Sequence, residues 1–96
     1  MKANITNLKK VLRMCAKAHN AKFCDWSGEA HVAIESENVP VVSDVRTILE
    51  AFYGSHDPFL EVNWGHTIVW FDTCMFRSQR EVNINLLRMA LPYGSI

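Results

Sequence analysis

The spacing of apolar residues changes several times along this chain, and each change marks an element. Ile5, Leu8, Leu12, Cys15, Ala16 and His19 recur at helical spacing, while Lys9, Lys10, Arg13 and Lys17 gather on another side. This predicts an amphipathic helix over 6–19, with Thr6 as N-cap and Asn20 as its stop. Residues 21–35 then read as a hairpin. Its arms are Lys22–Trp26 and Glu29–Ile34, and Ser27 and Gly28 supply the turn. On the second arm Ala30, Val32 and Ile34 face one way, and Glu29, His31 and Ala33 the other.

Glu35 to Val42 is expected to connect, because Pro40 has no amide proton to give a sheet. Ser43 or Asp44 then caps a second helix that buries Val45, Ile48, Leu49 and Phe52 and ends at Gly54. The stretch from Phe59 to Phe71 is expected to form the heart of the core. Leu60, Val62 and Trp64 alternate with Phe59, Glu61 and Asn63. Ile68 to Phe71 is nearly unbroken, as in a strand covered on both faces. Gly65, free to take positive φ, closes this second hairpin, and Trp64 and Trp70 are expected to be buried. Thr73 to Phe76 reads equally as strand end or loop. Ser78 and Glu81 have capping-box spacing, which predicts a third helix from there to about Leu91, stopped by Pro92. Within it Val82, Ile84 and Leu86 alternate strictly, which also suits a strand; Leu87, Met89, Ala90 and Leu91 carry the pattern past ordinary strand length and favour helix. Tyr93 to Ile96 forms a short tail.

The resulting order is α-β-β-α-β-β-α, an α+β fold. Its simplest arrangement is a mainly antiparallel four-stranded sheet with helices packed on one face. The other face is then open, and Trp26, His31, Trp64 and Trp70 are candidates to populate it as an interaction surface. With 96 residues the chain makes one compact domain, 1–96. Hydrophobic residues at 49% and charged residues at 21% exclude a disordered chain. No apolar run is long enough to span a membrane, none of signal-peptide type follows Met1, and three scattered cysteines suit a reducing compartment. A cytoplasmic location is expected.

The formal charge of zero hides a polarity. Residues 1–24 hold six basic residues and no acid, whereas residues 25–63 hold eight acids and only Arg46. Such segments either face each other or steer the chain to a charged partner. Candidate chemistry is thin. Cys15 and His19 lie one helical turn apart, and Cys24 and His31 on the adjoining hairpin could complete a zinc site of two thiolates and two imidazoles, although no knuckle spacing occurs. A thiol nucleophile would be Cys74 with His56 or His66 and Asp57 or Asp72, but no oxyanion loop stands beside it. Glu35 and Glu37 form a carboxylate pair without an apolar cleft. No phosphate-binding glycine cluster occurs, so no cofactor is expected. The basic residues Lys9, Lys10, Arg13 and Lys17 would give a salt-dependent contact to a nucleic-acid backbone.

In size, mixed α+β order and charge polarity, including the acidic run from Asp25 to Glu61, the chain resembles the small proteins by which phages and other mobile elements inhibit host defence complexes, anti-CRISPR proteins among them. The resemblance implies a stoichiometric, non-enzymatic inhibitor in the host cytoplasm. It would bind a larger protein or nucleoprotein complex and block its nucleic-acid site or its conformational change. Glu29, Glu35, Glu37, Asp44 and Asp57 would then meet basic residues of the target, or Lys9, Lys10, Arg13 and Lys17 would form the contact, with Trp26 as an aromatic contributor. The alternative is a small nucleic-acid-binding or regulatory module using helix 1. A homodimer through the open sheet face is a further possibility.

Overall fold

The computed structural model describes residues 1–26, 28, 30–36, 39–71 and 80–91. Helix α1 spans Ile5–Ala18 and buries Leu8, Val11, Leu12, Cys15 and Ala16. Its N-cap is Asn4, not Thr6: the extended Asn4 accepts the Asn7 amide at 2.8 Å through its side-chain oxygen. Asparagine outranks threonine at this position, and one residue of earlier start brings Ile5 into the helix. Asn20 does stop it. Its φ of 54° reverses the chain, while the Ala21 amide donates to the Ala16 carbonyl at 2.8 Å and the Asn20 amide to Lys17 at 3.1 Å. This is the double closure that satisfies helix C-terminal carbonyls.

Helix α2, Val39–Tyr53, begins well before the expected cap at Ser43 or Asp44. Pro40 falls in the first turn, where a missing amide proton costs nothing, so the residue that argued for a connection instead opens the helix. Val45, Ile48, Leu49 and Phe52 are buried as predicted, and Val41 joins them. Gly54, at φ 76°, ends α2 and donates its amide to Glu50 at 2.8 Å. The Arg80 guanidinium reaches the same end, donating from Nε to the Phe52 carbonyl at 3.2 Å.

Helix α3 is only Ile84–Ala90, with Asn83 as N-cap. The expected capping residue Ser78 lies outside the described residues, and residues 80–83, which the predicted helix would include, are not helical. Residues 80–82 pair instead with the first residues of the chain: Ala3 donates to the Arg80 carbonyl, Val82 donates to Met1, and Lys2 bridges Glu81. Glu81 is thereby taken up by the Met1 ammonium at 3.0 Å and Lys2 Nζ at 2.9 Å, and a carboxylate so engaged does not serve a capping box.

The sheet is antiparallel in the order β1-β2-β4-β3, from β1 Lys22–Trp26, β2 His31–Glu35, β3 Leu60–Asn63 and β4 His66–Trp70. β2 starts two residues later than expected, because Ala30 sits at φ 61° in the turn. Residues paired across antiparallel strands share a face. Phe23, Asp25, Val32, Ile34, Thr67, Val69, Leu60 and Val62 thus form the face toward the helices. Val32, Ile34 and Val69 join the buried residues of α1, α2 and α3 in one core.

The second hairpin is not the heart of that core. β3 is an edge strand, Val62 is 55% exposed, Trp64 at the turn is 92% exposed and Trp70 is 40% exposed. Its second arm is covered on one face only: Thr67 and Val69 are buried, whereas Trp70 points away. The core centres on β2 and the two long helices. The aromatics of 59–71 are divided: Phe59 and Phe71 pack against the edge of the core, Trp70 stands on the opposite face of the sheet and Trp64 at the turn.

Candidate interaction surface

That helix-free face is built from the alternate residues of the same strands. One row across it is Trp26, His31 and Trp70; the next is Cys24, Ala33, Ile68 and Glu61; the third is Lys22, Glu35, His66 and Asn63. In the first row Trp26 stacks on His31 with ring centroids 5.8 Å apart and planes 8° apart, and His31 meets Trp70 at 4.4 Å. The Trp70 indole donates to Glu61 Oε2 at 2.9 Å, satisfying its one polar atom at the surface. In the third row Glu35 lies between two cationic or polar partners: His66 Nε2 at 3.0 Å on one oxygen and Lys22 Nζ at 3.8 Å on the other. Trp26 is 49% exposed, and the aromatic ladder stands on the face that no helix covers among the described residues.

The expectation of an aromatic open face is therefore met by Trp26, His31 and Trp70, and Trp64 occupies the hairpin tip beside it. The charged candidates fare differently. Lys9 pairs with Asp25 at 3.2 Å and lies over the Phe71 ring, and Arg13 lies over Phe23 at 4.9 Å. Only Lys10 and Lys17 of the basic set are exposed without such a contact among the described residues. The predicted four-residue basic surface is thus half consumed in fastening α1 to the edge of the sheet. The acids behave alike. Glu35 holds His66, Asp44 holds His19 at 2.6 Å and Asp57 holds His56 at 2.9 Å. Glu29 and Glu37 lie outside the described residues, as do Asp72 and Cys74. Three contacts, Lys9–Asp25, Lys22–Glu35 and His19–Asp44, join the basic segment to the acidic one.

The four-ligand zinc set does not assemble. Cys15 and His19 face the core side, whereas Cys24 and His31 stand on the open face of the sheet. Asp44 takes the vacant place: Cys15, His19 and Asp44 bring their ligand atoms within 4.8 Å of one another. The chemistry of that cluster is accounted for by hydrogen bonding. The 2.6 Å contact of His19 Nε2 with Asp44 Oδ2 is shorter than the roughly 3.3 Å between two ligands of a tetrahedral zinc ion. Cys15 is fully buried, and desolvation, with the Asp44 charge as the smaller cause, pushes its thiol up to about 12. With no metal beside it, it is a protonated core side chain rather than an activated nucleophile. His19 and Asp44 border a shallow cleft of about 270 Å³ with Ala18, Met89, Ala90 and Leu91.

Sequence reasoning missed the His19–Asp44 link, since twenty-five residues separate its ends. It also missed that the turn residue Trp64 is the most exposed large apolar side chain among the described residues. The signal for the second was present: a two-residue turn ending in glycine puts both of its residues outside the strand alternation. Among the described residues no helix is long and apolar enough to cross a membrane. No protein family, characterised protein or solved structure gave a significant match to the chain.

Proposed function

We propose that this chain is a non-enzymatic binding protein that docks onto a protein partner through the open face of its sheet. The observation that carries this is the Trp26–His31–Trp70 ladder on a face without helices among the described residues. Aromatic side chains concentrate binding energy where they can be desolvated against a partner. The polar rim of the same face, formed by Lys22, Glu35, Glu61 and His66, supplies the directional contacts that fix register.

A protein suits this face better than a nucleic acid. Two carboxylates, Glu35 and Glu61, stand there against one lysine, Lys22, and would oppose phosphates. The rings also stack on each other, which leaves mostly edges to an incoming base rather than open platforms. The target is then a surface with apolar ground and basic residues, as nucleic-acid-handling complexes present. In this reading the chain acts by occupying such a surface stoichiometrically, in the manner of the mobile-element inhibitors it resembles.

The test is capture from a lysate of the source organism with the tagged chain, with and without nuclease, comparing wild type, Trp26→Ala and a Lys10→Glu/Lys17→Glu pair. A stoichiometric protein partner lost with Trp26→Ala and retained by the charge-reversed pair supports the reading. Retention of nucleic acid alone, lost with the lysine reversals, assigns the activity to α1 instead.

A further inference from the structure

Trp64 occupies a position for which folding would select another residue. It is the first of the two residues joining β3 to β4, with φ 51°, and Gly65 follows with φ 79°. Two successive positive φ values define the tight turn for which asparagine, aspartate and glycine are suited, and a bulky side chain in the left-handed region is strained. Nothing in the packing offsets that strain, because Trp64 is 92% exposed. At its foot lies a cleft of about 380 Å³ lined by Glu35, Ser36, Trp64, Gly65 and His66. Glu35 is the charge in that cleft. One of its oxygens is engaged by His66 at 3.0 Å, while Lys22 approaches the other only to 3.8 Å, beyond hydrogen-bond length.

We propose that Trp64 and this cleft are the anchor of the interface, and that they take a basic–apolar segment of the partner protein. The apolar residues of that segment cover the Trp64 indole. An adjacent arginine or lysine enters the cleft, with its charge on the Glu35 oxygen that Lys22 reaches only at 3.8 Å and its stem or guanidinium against the ring. This rests on the protein-binding reading of the open face, and it adds the contact point and the chemistry of the segment that fills it. The third row of the face, Lys22, Glu35, His66 and Asn63, adjoins the tip, and the ladder lies on the same face beyond the second row, Cys24, Ala33, Ile68 and Glu61.

The test uses the whole chain as bait for a phage-displayed library of random dodecamer peptides. Selected peptides are then titrated against wild type, Trp64→Asn, Glu35→Gln and Trp26→Ala, and each variant is unfolded in urea. The expected peptides carry arginine or lysine next to an aliphatic or aromatic residue. Affinity falls at least about tenfold with Trp64→Asn and several-fold with Glu35→Gln. The urea midpoint of Trp64→Asn stays level or rises, since asparagine suits the turn. Peptides without a basic residue, or affinity unchanged by Trp64→Asn, overturn the proposal. A lowered urea midpoint for Trp64→Asn also overturns it, by giving the side chain a folding role. Peptides that depend on Trp26 but not on Trp64 remove the anchor and leave the open-face reading standing. If no peptide is selected and a thymidine oligonucleotide quenches the tryptophan fluorescence instead, both readings fall in favour of base stacking.

Discussion

The three tryptophans give a graded series whose stability costs follow from where each side chain stands. A tryptophan side chain can bury up to about 250 Å². At 40% exposure Trp70 keeps about 150 Å² from water, and at 92% Trp64 keeps about 20 Å². At about 25 cal/mol per Å² these areas correspond to ceilings of about 4 and about 0.5 kcal/mol. The alanine Cβ retains part of the burial, and the unfolded chain already hides some of it. That brings Trp70→Ala to about 2 kcal/mol and Trp64→Ala to about zero. Trp26, at 49% exposure, falls just below Trp70. Loss of the Trp70 indole proton adds little, because Glu61 is exposed and water replaces the donor. Urea unfolding followed by far-ultraviolet circular dichroism measures all three without relying on the deleted chromophore. Equal slopes across the series license the comparison. A cost above about 4 kcal/mol for Trp70→Ala is core behaviour and would refute the placement of that side chain on the open face. A cost above about 1.5 kcal/mol for Trp64→Ala would refute its isolation at the tip.

Other consequences test the remaining contacts. Removing His19 and Asp44 singly and together in a double-mutant cycle should reveal a coupling of about 1–2 kcal/mol between α1 and α2; a coupling near zero would mean the 2.6 Å contact does not bind the helices together. The Cys15 thiol, raised from 9.0 to about 12, stays protonated in the fold after the unfolded chain has begun to ionise. Stability should therefore be full below pH about 9 and fall as pH rises from there toward about 12, and Cys15→Ala should flatten that slope in alkaline urea titrations. Folded protein treated with a maleimide should be modified at half-buried Cys24 before Cys15, which peptide mass spectrometry resolves. Glu81 is held below the ordinary carboxyl value of 4.5, first by its hydrogen bonds to Lys2 and the terminal ammonium, so its contribution is present above that value and lost as pH falls; Glu81→Gln should shallow the acid limb of the unfolding profile. Lys9→Glu should destabilise the fold more than Lys10→Glu, because only Lys9 faces Asp25 and Phe71.

Much of the fold was legible because its signals are local. Asn20 and Gly54 end helices where an αL residue is wanted, Gly65 closes a hairpin, and the face of Val45, Ile48, Leu49 and Phe52 is an unambiguous period. The misreadings share one cause, a residue whose local preference was decided elsewhere. Glu81 has the right spacing for a capping box, yet the first residues of the chain lie alongside it and take its carboxylate. Pro40 reads as a breaker until it is seen in a first helical turn. Cys15, His19, Cys24 and His31 are near in sequence but lie on the two opposite sides of the sheet, and only the pairing register shows this. Lys9 and Arg13 look like a binding face because sequence displays their charge and not the aromatic rings beneath them.

An exposed aromatic ladder has a structural explanation as well as a functional one. Aromatic side chains favour strands, and cross-strand pairs such as Trp26 with His31 and His31 with Trp70 stabilise the sheet that displays them. Trp64 has no such second explanation. It stands in a turn where strand preference has no force, at a φ that disfavours its bulk, with less than a tenth of its surface covered. Every folding consideration at that position points to a smaller residue. The interface proposed above would give a tryptophan there a physical role, and the Glu35 carboxylate in the adjoining cleft favours a cation in the surface that covers it. The same reasoning sets Trp64 apart from Val62, whose exposure on edge strand β3 follows from its place at the end of the sheet.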